Sequence, residues 1–196
     1  MIAGAVLLLA ALSFYVKNKK EADQAEQFAE AVMPLLRETA QCSGQKGTEE
    51  TGPKEQTPLE EEENRAMTVV EMDGYGYIGY LSIPGQGLEL PVMAEWDYPR
   101  LKISPCRYTG SVKTHDLVIA AHNYARHFGI LTGLAQGDEV LFTDMDGRTY
   151  QYQVAEVVTL QPTDIEEMTS GEYPLTLFTC TYGGKSRVTV RCDYSA

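Results

Sequence analysis

Cys180 closes the run Leu175-Thr176-Leu177-Phe178-Thr179-Cys180 and is followed by Thr181, Tyr182 and the pair Gly183-Gly184. A thiol at the end of a rigid strand, beside a glycine-rich loop, is placed where a substrate can reach it. Taken alone, such a cysteine reads as buried apolar filler. His122 changes that reading. It ends a second apolar run, Leu117-Val118-Ile119-Ala120-Ala121, and two strand ends on one rim would bring an imidazole to a thiol as acid/base and nucleophile. Arg187 opens the last strand seven residues after Cys180, so the chain must return alongside the Cys-bearing strand. A guanidinium there would stabilise the oxyanion of a tetrahedral acyl intermediate and help keep the thiol ionised. Arg191 shares its strand and face but lies about 13 Å further along at ~3.3 Å per residue, too far to serve the same atom.

Strands must position these groups, and from Met67 onward the pattern is strand after strand. Residues 77–83, 88–93, 116–121, 139–143, 149–160, 175–180 and 188–193 are rich in β-branched, aromatic and Leu residues, and Pro, Gly or Asp separates most of them. At least seven strands in 130 residues imply a closed or nearly closed all-β barrel. The clearest hairpin is Phe142 to Tyr150, turning at Asp144-Met145-Asp146-Gly147. Ahead of the barrel, residues 17–42 carry apolar residues at near-helical spacing, predicting an amphipathic helix that Pro34 should kink or restart. Residues 43–66 are rich in Glu, Gln, Thr, Gly and Pro and predict a flexible acidic linker. Residues 1–16 hold no charged side chain and are followed at once by Lys17, Lys19 and Lys20. That stretch reads as an N-terminal membrane anchor or the apolar part of a signal peptide, though it is short of the ~20 residues needed to span a bilayer.

Composition removes other readings. The chain has 196 residues, with 16 Lys and Arg against 28 Asp and Glu, a net charge of −12. The excess is shared, because residues 17–66 hold 12 acids and 7 bases and residues 67–196 hold 16 and 9. Nucleic acid, which attracts clustered cations, is excluded as a partner. The cysteines at 42, 106, 180 and 192 show no CxxC or Cys/His ligand spacing, so neither a metal site nor a cofactor is implied. Asp138, Asp144 and Asp146 would suit calcium in another setting, but here they read as turn residues. Outside a cell Cys106 and Cys192 would be free to pair, although spacing does not establish geometry. His115 and His127 read as surface residues near His122.

Taken together, Thr176-Leu177-Phe178-Thr179-Cys180, Arg187-Val188-Thr189-Val190 downstream and Ala121-His122-Asn123 upstream resemble a sortase. That family carries a Thr-Leu-x-Thr-Cys signature, an Arg opening the next strand and a His about sixty residues before the Cys; the separation here is 58. The run Tyr77 to Pro84 resembles the family's opening strand and Leu88 to Val92 its second. Phe128 to Leu134 and Gly137-Asp138-Glu139 resemble the helical turn and strand after the His. The likeness spans residues 74 to 194 and departs from the usual Gly-His at Ala121-His122. It implies a closed eight-stranded barrel with short helices, tethered outside a Gram-positive membrane by a single N-terminal anchor. The class stays open: His122-Asn123 and the preceding helix resemble class B, whereas the short connection Gln161 to Pro174 resembles class A or D. Nothing resembles the lid or C-terminal membrane segment of pilin-polymerising class C enzymes.

The activity implied is that of a cysteine transpeptidase, a thiol peptidase and acyltransferase of surface-protein anchoring. It would cleave a Leu-Pro-x-Thr-Gly-like sorting signal through a thioacyl-enzyme at Cys180, with His122 as acid/base and Arg187 at the oxyanion. The acyl group would pass to a peptidoglycan precursor or another amine. Thr179, Asn123, Tyr124 and Tyr182 are the candidate substrate-groove residues. Three rivals remain: a pilin-polymerising sortase, an L,D-transpeptidase, whose Ser-His-Gly-Cys-type signature is absent, and a tethered binding module holding a buried cysteine.

Overall fold

The computed structural model describes residues 2–44 and 66–195. One helix, α1 (Ile2–Gly44), precedes the strands β1 (Val70–Met72), β2 (Tyr75–Ile83), β3 (Leu88–Met93), β4 (Cys106–Thr109), β5 (Leu117–Ala121), β6 (Glu139–Asp144), β7 (Thr149–Leu160), β8 (Leu175–Cys180) and β9 (Arg187–Tyr194). Short helices α2 (Tyr98–Leu101) and α3 (Ile165–Met168) and two 3₁₀ turns fill connections. The strands run in the order β1-β2-β3-β4-β5-β8-β9-β7-β6, and β6 returns to pair with β2. That last pairing closes an eight-stranded barrel, with β1 added outside it. The barrel is mixed, since β3–β4 and β5–β8 are parallel and the remaining pairs antiparallel.

Alternation along the strands separates two apolar layers. Leu175 and Leu177 of β8 point into the barrel with Leu117 and Ile119 of β5, Phe142, Val190 and Cys192. On the outer side Phe178 packs with Val118, Ala120, Leu160 and Met168, the last supplied by α3. Because both faces of the β5–β8 pair are covered, each of these strands reads as an unbroken apolar run instead of an alternating one.

A second outer cluster explains α1. Val32, Leu36 and Ala40 cover Tyr77, Met93, Cys106 and Met145 on the outside of the barrel. Leu36 is completely buried, a contribution of about 1.5–3 kcal/mol. The buried positions 25, 29, 32, 33, 36 and 40 follow helical spacing, and all lie C-terminal to Glu21. Before that point Leu8, Leu9, Leu12, Phe14, Tyr15 and Val16 are exposed. The helix does not restart at Pro34. The helix runs through Pro34, which is exposed, while Met33 and Leu36 on either side are buried against the barrel. The apolar stretch and the amphipathic stretch are therefore parts of one helix. Among the described residues no helix is long and apolar enough to cross a membrane. The expected linker lies, for residues 45–65, outside the described residues.

The β6–β7 hairpin forms where it was expected. Asp144 Oδ1 accepts from the backbone N–H of Asp146 and Arg148, and Gly147 has φ +80°. A side chain on Gly147 would also collide with the Ala40 carbonyl of α1, so the helix end sits directly on this turn. All four cysteines are free. Cys106 belongs to the layer under α1 and Cys192 to the barrel interior, on opposite sides of the sheet, so they do not pair. Burial pushes both thiols up to about 12.

Candidate active site

Strand register brings the three chemical residues to one rim. β5 and β8 are parallel and aligned from Leu117 opposite Leu175 to Ala121 opposite Thr179. His122 and Cys180, the next residue along each strand, therefore reach the same level on neighbouring strands. Thr179 Oγ1 donates to the Ala121 carbonyl at 2.8 Å and fixes that alignment. In the antiparallel β8–β9 pair, Cys180 stands directly opposite Arg187, so their side chains share a face.

The loop between Cys180 and Arg187 is tightly bonded. Thr181 N–H donates to the Ser186 carbonyl at 2.9 Å, and Ser186 N–H donates to Thr181 Oγ1 at 3.1 Å. Gly183 and Gly184 have φ of +81° and +70°, a turn that other residues adopt only with strain. Arg187 Nη1 donates to the carbonyls of Gly184 (3.2 Å) and Ser186 (3.1 Å), which holds the guanidinium beside this turn. Arg191 is occupied elsewhere. It pairs with Glu156 at 2.7 Å, donates to the Glu167 carbonyl and lies over the Tyr173 ring.

A cleft of about 360 Å³ opens at this rim, lined on one side by Thr179, Cys180, Thr181, Tyr182 and Val188 and on the other by Asn123, Ala125, Gly129, Ile130 and Thr132. Three of the four candidate groove residues, Asn123, Thr179 and Tyr182, line it. Tyr182 is 91% exposed, whereas the Thr179 hydroxyl is committed to the strand pairing. Tyr124 does not line the cleft. It is buried behind His122, its ring stacked on the imidazole at 5.1 Å and 22°, and its hydroxyl donates to Glu21 Oε2 of α1 at 3.3 Å.

His122 is half-buried, and its Nε2 has no hydrogen-bond partner among the described residues. Desolvation holds its pKa below the usual histidine value; Lys102 pushes in the same direction and Glu21 opposes them. The imidazole is accordingly neutral at pH 7. His127 corrects the expectation of a surface residue. It is fully buried against Tyr124, ring centroids 5.6 Å apart, and both ring nitrogens lack a partner among the described residues. Burial lowers its pKa to about 4. His115 is exposed but begins the far end of β5, where Nδ1 lies 2.5 Å from Tyr194 Oη. Neither Glu21 nor Lys102 was singled out from sequence; Glu21 is 103 residues from the tyrosine it holds. Among the described residues no group of His, Cys, Asp and Glu is arranged to hold a metal ion.

A family model described as the sortase domain matches residues 81–195. No curated protein matches the chain significantly. Solved structures do. Sortase C1 from Streptococcus agalactiae is 22% identical, with 91% of this chain and 97% of that one covered and a TM-score of 0.56. Sortase A from Corynebacterium diphtheriae is 18% identical over 94% and 96%, with a TM-score of 0.57. Sortase C-1 from Actinomyces oris is 21% identical over 82% and 99%, with a TM-score of 0.56. At these identities the likeness carries the fold.

Proposed function

The chain belongs to the sortase family, and from that premise we propose that it is a cysteine transpeptidase acting through Cys180, His122 and Arg187. One observation carries the reading: Cys180 faces Arg187 across β8–β9 and ends level with His122 on the parallel neighbour β5. A nucleophile that lines an open cleft thus has a proton carrier and a cation on the two strands beside its own.

The substrate is a Leu-Pro-x-Thr-Gly-like sorting signal on a secreted protein. Its scissile carbonyl lies over Cys180 with the peptide in the cleft between Tyr182 and Asn123. As Sγ attacks, the neutral His122 takes the thiol proton and Arg187 offsets the negative charge gathering on the carbonyl oxygen. Collapse of the tetrahedral adduct breaks the C–N bond, and His122 returns the proton to the leaving amine. A thioester on Cys180 remains. An amine acceptor, from a peptidoglycan precursor or another protein, attacks the thioester while His122 accepts its proton. The new amide leaves and the thiol is restored. The exposed apolar segment ahead of Lys17 is the membrane tether of this enzyme, which keeps the barrel on the outer surface of the cell.

The test is product masses from sorting-signal peptides incubated with the full chain and a panel of amines. Cys180→Ala and His122→Ala should each abolish transpeptidation while leaving the unfolding transition of the barrel in place. Retained turnover in Cys180→Ala sinks the assignment.

A further inference from the structure

The catalytic histidine is backed by a tyrosine whose own hydroxyl is held by a residue that the barrel does not supply. Tyr124 lies flat against His122, and its hydroxyl is held by Glu21 of α1 at 3.3 Å. Glu21 is kept in place by Lys102, 3.8 Å away just beyond α2. One turn further along α1, Glu26 pairs with Arg126 of the same loop at 3.1 Å. Between them these contacts clamp the loop after His122 to the helix at two points. Glu21 also marks the place where α1 leaves the barrel, since Leu8, Leu9, Leu12, Phe14, Tyr15 and Val16 before it are exposed and the burial of the helix begins just after it.

We infer that Glu21 of α1 is a positioning residue for His122, acting through the Tyr124 hydroxyl and ring, so that the appended helix completes an active site that the barrel alone leaves unfinished. This rests on the proposed transpeptidase reading. A stacked ring sets the plane of the imidazole, and a ring pinned at its hydroxyl cannot slide or rotate away. Tyr124 is suited to donate that bond, because burial and the neighbouring Glu21 carboxylate push its hydroxyl up to about 12, leaving it protonated throughout the working range. The charged and titratable groups around the His122 ring are Glu21 on α1, Lys102 after α2, and Tyr124 and His127 on its own loop, with Cys180 and Arg187 across the rim. Only Glu21 raises the affinity of His122 for its proton; burial and Lys102 lower it.

The experiment uses the full chain in detergent micelles, with Glu21→Gln, Glu21→Asp, Tyr124→Phe and the double variant Glu21→Gln/Tyr124→Phe. The His122 ring is titrated by NMR, and kcat and KM are measured for a sorting-signal peptide across pH. Glu21→Gln is expected to lower kcat about 3- to 10-fold with KM unchanged and to move the His122 titration to lower pH. Glu21→Asp should restore both in part. Tyr124→Phe keeps the stack but loses the hydroxyl bond, so it should lower kcat alike, and the double variant should be no worse than either single one. Unchanged unfolding transitions with these changes support positioning; a wild-type-like kcat and titration in Glu21→Gln overturn it, as do additive losses in the double variant. The two readings separate cleanly. A wild-type chain that processes no sorting peptide while its His122 titration still moves with Glu21 defeats the transpeptidase reading only.

Discussion

Cys180 and Arg187 face each other across a hydrogen-bonded strand pair, whereas His122 stands at a strand end whose outer side is finished by its own loop and by a helix from the other end of the chain. The first half of the rim inherits its geometry from barrel register, which cannot shift by one residue without exchanging the inward-facing and outward-facing side chains of the shifted strand. The second half depends on contacts between half-exposed groups, Glu21, Lys102, Glu26 and Arg126. Pairs of that kind are individually worth about 0–1 kcal/mol. One half should therefore behave as part of the global fold, and the other as something that can be loosened without unfolding.

The largest blow to the comparison comes from the packing under α1. Leu36→Ala should cost about 2–5 kcal/mol in chemical denaturation, because Leu36 is completely buried between the helix and the barrel. At sub-denaturing conditions it should slow turnover further by freeing the His122 side, while a thiol reagent still labels Cys180. A loss below about 1 kcal/mol would show that α1 is not integral to the structure. Next in size, Arg187→Ala should reduce kcat/KM at least ~100-fold, in the range of losing one oxyanion donor. Arg191→Ala should leave turnover within a few-fold and instead lower stability, since Arg191 ties Glu156 of β7 to the Glu167 carbonyl of α3. Equal kinetic losses at both positions would remove the distinction between them.

The same contrast separates what was legible in the sequence. β3, β7 and β8 appear with the bounds read from their apolar runs and flanking turn residues. β1 and β4 were missed. Val70–Met72 is only three residues, and Cys106-Arg107-Tyr108-Thr109 carries a charge within a short run; each is a strand because a neighbour pairs with it. Cys180, His122 and Arg187 could be singled out because each marks a strand end, a local feature. Tyr124 was noticed but assigned to the groove, since no local pattern shows which side of an imidazole a loop residue will cover. His127 was expected at the surface near His122, and its burial comes from a turn that closes through His127 N–H to the Tyr124 carbonyl and Phe128 N–H to the His122 carbonyl, a fold of the loop that no local pattern shows. Glu21 left no sequence signal, because its partners lie on two distant segments.

His127 supplies a smaller test, on stability alone. Above the ordinary histidine pKa of ~6.5 it is neutral in both folded and unfolded chains and imposes no pH dependence. Between ~6.5 and about 4 the unfolded chain takes up a proton that the folded chain refuses, so stability falls as pH falls, then levels off below about 4. Of this loss, on the order of 2 kcal/mol should fall between pH 7 and 5, and His127→Phe should remove it in unfolding experiments at those two pH values. An unaltered difference between the two pH values would place the acid sensitivity in other groups.

The smallest effect bears most directly on the helix-backed half. If attack requires the neutral imidazole, turnover falls as pH drops through the His122 pKa, which burial holds below ~6.5. Lys102 lowers that pKa and Glu21 raises it, so removing each charge should move the acid limb in opposite directions. Lys102→Gln should shift it upward by a few tenths of a pH unit and Glu21→Gln downward by a similar amount, with the double variant near the wild type. Both groups are partly solvated, so 0.5 M salt should shrink the two shifts together. Shifts of the same sign would mean that the variants act by loosening the loop and not through charge. The limb would then report on the clamp itself, with Arg126→Gln, which breaks the second contact with α1, expected to reproduce it.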